Sequence, residues 1–412
     1  MSRTSGQGVR RIGVAGASGS VGSAIVQQLV ADGFAVVALV RNGMGAALLE
    51  ATIPGCEIRV GGTGRAADGS HALDDCDVIV NCALAGSGGL PKEAYRRNRA
   101  IVDGLLAAHD LRWLVHFSTV AIYGEMIRPA TDERSAFESP RPESEYGRSK
   151  LDVERHAVRA AAARGVKCTA LRLGHVVGPG IYRSREIIEL ARDPRTRLPF
   201  DGSEVSNCIH IDTLARSISA LVTADGPEGV RSFIEPAWTW RDVFAFHAEA
   251  VGASVPAGMD ARASSAVREA HVAQSVTGDV KRWVRALPVK QLVRSPKVFD
   301  LALRTLVVAP DWLTQRVSQL NKRVGARSAG AAASVGGAPE LPPLYYSARV
   351  PGPYLELASP PATGAGSVVE RTRSLGAWYA GLSVPRLPGE ASRIESLRTG
   401  DASAQLPEFA EA

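Results

Sequence analysis

"GVAGASGSVG", residues 13–22, links a short apolar run to a segment whose apolar residues return at helical spacing. Its glycines stand at 16, 19 and 22. Glycine lets a turn take positive φ and lets backbone come close to a ligand. The helix that follows offers free N–H groups and the positive end of its dipole to a pyrophosphate. A glycine triplet alone is weak evidence. Between a strand, "RIGVAG", and a helix, "SVGSAIVQQLVADG", it is the turn that a dinucleotide needs. Gly16, Ser18, Gly19, Ser20, Val21 and Gly22 are the expected cofactor contacts, against the plainer reading of a tight turn that holds nothing.

The rhythm around this turn repeats. "FAVVALV", "CEIRV" and "DVIVNCA" read as further strands, and "PKEAYRRNRAIVDGLLAAHD" as a long amphipathic helix with Ile101, Leu105 and Ala108 on one stripe. "RWLVHFSTV" and "KCTALRLG" read as later strands, and "IHIDTLARSISALVTA" as a strand edge entering a helix. Strands alternating with helices predict an α/β fold with a doubly wound parallel sheet and a smaller C-terminal substrate region. The expected division is a nucleotide-binding unit over 1–178 and a substrate region over 179–324. A linker follows over 325–343, a helical segment over 344–387, and a tail over 388–412 too poor in core pattern to fold.

Charge and cysteine usage narrow the function. The formal charge of +6, from 48 Lys and Arg against 42 Asp and Glu, is small for 412 residues, so nucleic-acid binding is not expected. Five cysteines without metal or disulfide spacing suit a reducing compartment. The opening "MSRTSGQGVRR" is polar, and no apolar run reaches the roughly 18 residues of a spanning helix, so a cytoplasmic protein is expected. The basic, apolar stretch 280–324 is cut by Pro288, Pro296 and Pro310. Short helices covering the substrate site are favoured there over contact with anionic lipid.

"YGRSK" carries the chemistry. Tyr146 and Lys150 are i and i+4 near the start of a helix and share a face. An ammonium beside a phenol favours its ionised form; moving its pKa from ~10 toward 7 asks for about 4 kcal/mol.

With Gly-x-x-Gly-x-x-Gly and a Ser/Thr after the fifth expected strand, this pair resembles the short-chain dehydrogenase/reductase superfamily. More narrowly, the chain resembles the NAD-dependent epimerase/dehydratase family, a Rossmann-type fold. "DVIVNCA" (77–83), Asn98, "STVAIYG" (118–124), "LRLGHVVGPG" (171–180) and "NCIHIDTLA" (207–215) extend the likeness over about residues 11–250. The resemblance implies Tyr146 as the acid/base and Lys150 as the group that lowers its pKa and holds the nicotinamide ribose. It implies Thr119, with Ser118 as a substitute, as the residue orienting the substrate oxygen. Ala83, Asn98, His175 and Val176 join the implied cofactor contacts, and a homodimer is a family expectation. No metal is implied, because His175 has no second ligand spaced for it.

Two departures refine this. The family's NAD users carry an acid after the second strand, where this chain has Arg41, which suits a 2′-phosphate; NADP is favoured, with NAD as the alternative. "RVGGTGRAADG" also lacks the family's acid after the third strand. Val120 and Ala121 stand where sugar-nucleotide 4,6-dehydratases carry Asp-Glu, so water elimination is not expected. The expected function is hydride transfer at a hydroxyl or carbonyl carbon of a hydroxylated substrate such as a sugar nucleotide. A non-catalytic NADP sensor and a membrane-peripheral steroid- or lipid-type dehydrogenase are the alternatives. His116 in its strand, Trp238 and Trp240 are expected in the core.

Overall fold

A computed structural model describes residues 11–62, 65–66, 71–85, 91–124, 132–142, 144–178, 180–235, 238–265 and 349–355. The stretch 280–324, the linker 325–343 and the tail 388–412 lie outside the described residues.

The first half runs β1 (Arg11–Ala15), α1 (Ser20–Ala31), β2 (Ala35–Val40), α2 (Gly43–Thr52), β3 (Glu57–Gly62) and a two-residue β4 (Arg65–Ala66). The second runs β5 (Val78–Asn81), α3 (Pro91–Leu105), β6 (Trp113–Thr119), a 3₁₀ turn over Val120–Tyr123, α4 (Glu133–Glu138), α5 (Glu145–Ala162) and β7 (Lys167–Leu173). Then come β8 (His175–Val177), α6 (Tyr182–Arg192), β9 (Arg197–Leu198), β10 (Cys208–His210), α7 (Ile211–Thr223), β11 (Gly229–Phe233), α8 (Trp240–Val251) and β12 (Ala257–Gly258).

The large sheet has the order β11-β7-β6-β5-β1-β2-β3-β4. Every neighbouring pair is parallel except β3 with β4. The chain winds outward from β1 in one direction and from β5 in the other, which is the doubly wound arrangement expected from the βαβ rhythm. The connections after β1 and β5 therefore part, opening a crevice at the carboxyl ends of the strands.

Alternation along the central strands explains the two covered faces. Ile12, Val36, Ala38, Val40, Val78 and Val80 pack into the core shared with α1 and α7. Val37, Leu39, Ile79 and Leu114 point to the opposite core, shared with α3 and α5. Each fully buried aliphatic side chain is worth about 1.5–3 kcal/mol, so a one-residue slip of either strand would exchange both cores at once.

The sheet also draws on sequence beyond residue 178. Strand β11 pairs with β7, and α7 packs beside α1 on the same face. A parallel strand there satisfies the backbone groups that β7 would otherwise leave open. Residues 349–355, inside the span expected to be helical, run extended beside β11. Pro351 and Pro353 lack the N–H groups that a helix would use. Two small parallel pairs, β8 with β10 and β9 with β12, stand apart from the large sheet with α6 and α8.

Candidate active site

The glycine turn closes against the loop after β5. Gly16 has φ +77°, and a Cβ there would lie 2.8 Å from the Ala83 amide nitrogen. At Gly22 a Cβ would lie 2.3 Å from the Gly16 carbonyl oxygen. The Gly16 and Ala17 amides donate to the Leu39 carbonyl at 3.2 and 3.3 Å, which ties the turn to β2. Gly19 caps α1 without a side-chain bond, and a Cβ on it would meet only the Gly16 oxygen, at 3.3 Å. The outer side of the turn is thus open, and the first amides of α1, which have no partner within the helix, stand at it. Bare amides at a helix start, reachable through glycine, fit a dinucleotide pyrophosphate.

Arg41 follows β2 on this side and is exposed, with no ion-pair partner among the described residues. Asn42 starts α2 by accepting from the Gly45 amide at 3.0 Å, and Ser18 lies against Gly45. The loop over residues 82–85 is fixed from below. The Asn81 carboxamide oxygen accepts from the Ala83 amide at 3.1 Å, and that of Asn98 accepts from the Ala85 amide at 2.8 Å. The Asn98 nitrogen donates to the Ala94 carbonyl at 2.8 Å, so this buried side chain shapes the loop. Ser20 Oγ donates to the Gly180 carbonyl at 2.9 Å, joining α1 to the segment after β8.

Thr119 ends β6, and its hydroxyl accepts from the Ala121 amide at 3.2 Å, capping the 3₁₀ turn. Helix α5 starts beside it, with Ser144 Oγ accepting from the Gly147 amide at 3.0 Å. A Cβ on Gly147 would come 2.5 Å from the Ala121 carbonyl oxygen, so glycine is what lets helix and turn touch. Tyr146 stands beside Thr119 and keeps 50% of its surface exposed. Protein crowding its ring raises the phenol pKa, and the Thr119 hydrogen bond opposes that rise. A phenol pushed upward from its ordinary value is neutral at pH 7.

Lys150 is 8% exposed and donates to the Phe117 carbonyl at 2.6 Å. Burial pulls its ammonium down to about 8, with Glu154 and Cys82 opposing. Thr119 opposes the rise at Tyr146, and Lys150 stands one turn further along the same helix. A lysine whose folded pKa lies below its unfolded value of ~10.4 costs stability wherever it is charged in the folded state. That cost, roughly 3 kcal/mol, is full below pH 8 and fades as pH rises toward 10.4. Lys150→Met is therefore expected to be more stable than the parent at pH 7 by about 2 kcal/mol, after losing one hydrogen bond. Urea unfolding at pH 7 and 10.5 should show the gap closing at the higher pH; an equal gap at both would sink the argument.

Sequence reasoning missed a buried network behind these residues. Glu154 continues the four-residue repeat of Tyr146 and Lys150 on α5 and is 2% exposed. It takes two bonds from Arg172 of β7, 2.7 Å from Nη2 and 3.0 Å from Nε. Arg172 Nη1 donates to the Tyr123 hydroxyl and the Phe137 carbonyl, each at 2.8 Å. An arginine inside "TALRLG" and a carboxylate on the core face of a helix were the available signals.

The remaining expected residues lie farther back. His116 is 2% exposed and bonded to Asn81 at 3.1 Å, and burial pushes its pKa down to about 3. His175 and Val176 sit on β8 opposite Cys208 and Ile209. Burial takes His175 down to about 3, and its ring lies 6.5 Å from that of Trp240. Trp240 is 3% exposed in the core of the small sheets, with Trp238 packed against it. Among the described residues no helix is long and apolar enough to cross a membrane.

The model of the NAD dependent epimerase/dehydratase family matches residues 12–230, just over half of the chain. A dTDP-6-deoxy-L-talose 4-dehydrogenase (NAD(P)(+)) from Kitasatospora kifunensis is 32% identical over 177 residues, 41% of this chain and 54% of its own length. The chain thus spans about half of that curated relative. A UDP-glucose 4-epimerase from Thermus thermophilus in complex with NAD is 26% identical with a TM-score of 0.48, over 60% of this chain and 85% of that one. A dTDP-glucose 4,6-dehydratase from Streptomyces venezuelae with NAD and TYD bound is 21% identical with a TM-score of 0.47, over 62% and 86%.

Proposed function

Because the chain belongs to the NAD dependent epimerase/dehydratase family, we propose that it is an NAD(P)-dependent oxidoreductase acting on a nucleotide sugar. Tyr146 is its acid/base, and reduction of a sugar ketone is its favoured direction. The observation that carries this reading is Thr119, at the end of β6, standing beside Tyr146, with Lys150 one turn along the same helix face. The bound nicotinamide supplies or accepts the hydride. Thr119 holds the substrate oxygen, and Tyr146, neutral at pH 7, gives it the proton that completes the alcohol. Lys150 keeps positive charge near the phenolate left behind. The substrate region expected over 179–324 is assigned to the nucleotide sugar, and its described part carries α6, α8 and the small-sheet strands β9, β10 and β12. The Kitasatospora relative, a dehydrogenase of a dTDP-linked deoxysugar, supports this substrate class.

Exposed Arg41 beside the glycine turn favours NADP(H). One charge-assisted contact to a 2′-phosphate is worth about 1.5–3 kcal/mol. Arg41→Ala is therefore expected to weaken NADPH binding by roughly 10- to 100-fold and to leave NADH unchanged, read by nucleotide fluorescence titration. A preference for NADH that survives the substitution removes the 2′-phosphate assignment. Turnover is tested by following NADPH oxidation with dTDP- and UDP-linked 4-keto sugars. Tight NADPH binding without oxidation by any of them would favour the sensor reading.

A further inference from the structure

Residues 349–355 lie far outside the span shared with the family, yet they complete the wall behind Thr119. They run along the outer edge of β11 as a strap. The Ser232 amide donates to the Pro353 carbonyl at 2.8 Å, and the Leu355 amide to the Ser232 carbonyl at 2.9 Å. The Val350 amide donates to Asn207 Oδ1 at 3.1 Å. Val350 is fully buried among Val120, Ile122, Tyr123, Leu151 and Ile234, so three of its neighbours belong to the turn that Thr119 caps.

A directed chain of hydrogen bonds joins the same places. Arg172 can only donate, so the Tyr123 oxygen accepts from it at 2.8 Å. Ser232 Oγ donates to the Pro351 carbonyl at 2.6 Å. The Tyr123 hydroxyl proton faces Ser232 Oγ at 3.0 Å and the Pro351 carbonyl at 3.5 Å. The chain therefore runs Arg172, Tyr123, Ser232, Pro351, and its last acceptor is a strap carbonyl. Its first member is neutralised by Glu154 of α5, the helix that carries Tyr146 and Lys150. Its second member, Tyr123, lies on the turn that meets α5 at Gly147, next to Tyr146.

We propose that residues 349–355 are a positioning element of the active site: docked on β11, they hold Tyr123 and the 3₁₀ turn, and thereby set the Thr119 hydroxyl against Tyr146. The inference rests on the assignment of Thr119 and Tyr146 to catalysis above. Without the strap, the buried Ser232 hydroxyl loses its acceptor, and Val120 and Ile122 lose the side chain that backs them. An unmet buried hydroxyl and an opened apolar pocket both press the turn to move.

The test uses the full chain carrying Val350→Asp, Val350→Ile as its conservative counterpart, or Ser232→Ala. Amide exchange at Ser232 and Leu355 reads docking. The ionisation of Tyr146 reads positioning, taken as the absorbance titration of each protein minus that of the same protein with Tyr146→Phe. Val350→Asp is expected to speed exchange at both amides by at least about 10-fold. It should also raise the Tyr146 pKa, since Thr119, which opposes that rise, is displaced. Val350→Ile should match the parent. Ser232→Ala should keep the Leu355 amide protected and raise the phenol by a smaller step. Fast exchange with an unchanged Tyr146 titration overturns the proposal, and so does an amide pair that stays protected in Val350→Asp. Should Val350→Asp fail to fold, Ser232→Ala decides, and an unmoved phenol there is the overturning result. Neither readout uses a substrate, so absence of turnover counts against the proposed function alone.

Discussion

Tyr146→Phe is expected to lower turnover by roughly 10²- to 10⁴-fold, or about 3–5 kcal/mol in the barrier. The ring stays and only the hydroxyl goes. Tyr146 is 50% exposed, so the substitution empties no packed site, and the melting temperature should stay within about a degree. Cofactor affinity should also hold, because the glycine turn and Arg41 are untouched. The pH profile adds a check. In the parent, reduction should decline as pH rises through the phenol's elevated pKa, because the proton donor is then lost. In the variant that limb should vanish. A variant that turns over at the parent rate removes Tyr146 as the proton donor.

Glu154→Ala should be the most damaging substitution for stability, costing about 3–5 kcal/mol in urea unfolding. It leaves the Arg172 guanidinium 4% exposed with no countercharge. Tyr123 and the Phe137 carbonyl cannot replace a carboxylate. The damage should be conditional: Glu154→Ala combined with Arg172→Met removes both charges and should recover most of the loss. Glu154 also supports the charge on Lys150, so the single variant should titrate that lysine below its present value of about 8. A cost below about 1 kcal/mol for the single variant, or additive costs in the double, would show that the pair is not coupled.

What could be read ahead of the structure was local. The turn at Gly16–Gly22 announces itself because both the conformation and the close packing demand glycine within a few residues. Tyr146 and Lys150 were legible because a helix makes four-residue spacing a spatial fact. The order of β1, β2, β5, β6 and β7 followed from continuous apolar runs. Strand β11, "GVRSF", escaped because five residues with glycine, arginine and serine show no clear period; its place is decided by β7 beside it. The Glu154–Arg172 pair escaped because its partners are distant in sequence, although a charge on each buried face hinted at it. Lys150 was read as acting on Tyr146, while its Phe117 carbonyl bond depends on how α5 seats on β6. Nothing in "RVPGPYL" indicated that it returns to a sheet edge.

That return has a consequence for how the protein behaves in a crowd. A parallel sheet presents a row of unpaired amides and carbonyls at each flank, and an open flank invites pairing with another molecule. One flank is finished by β4, only two residues long and antiparallel to β3. The other is finished by the strap, which takes both backbone groups of Ser232. The strap is short and carries two prolines, features that disfavour a continuous ladder with an incoming strand. Loss of residues 349–355 would bare that flank, and the first sign should be concentration-dependent aggregation on warming, below the temperature at which the core itself unfolds.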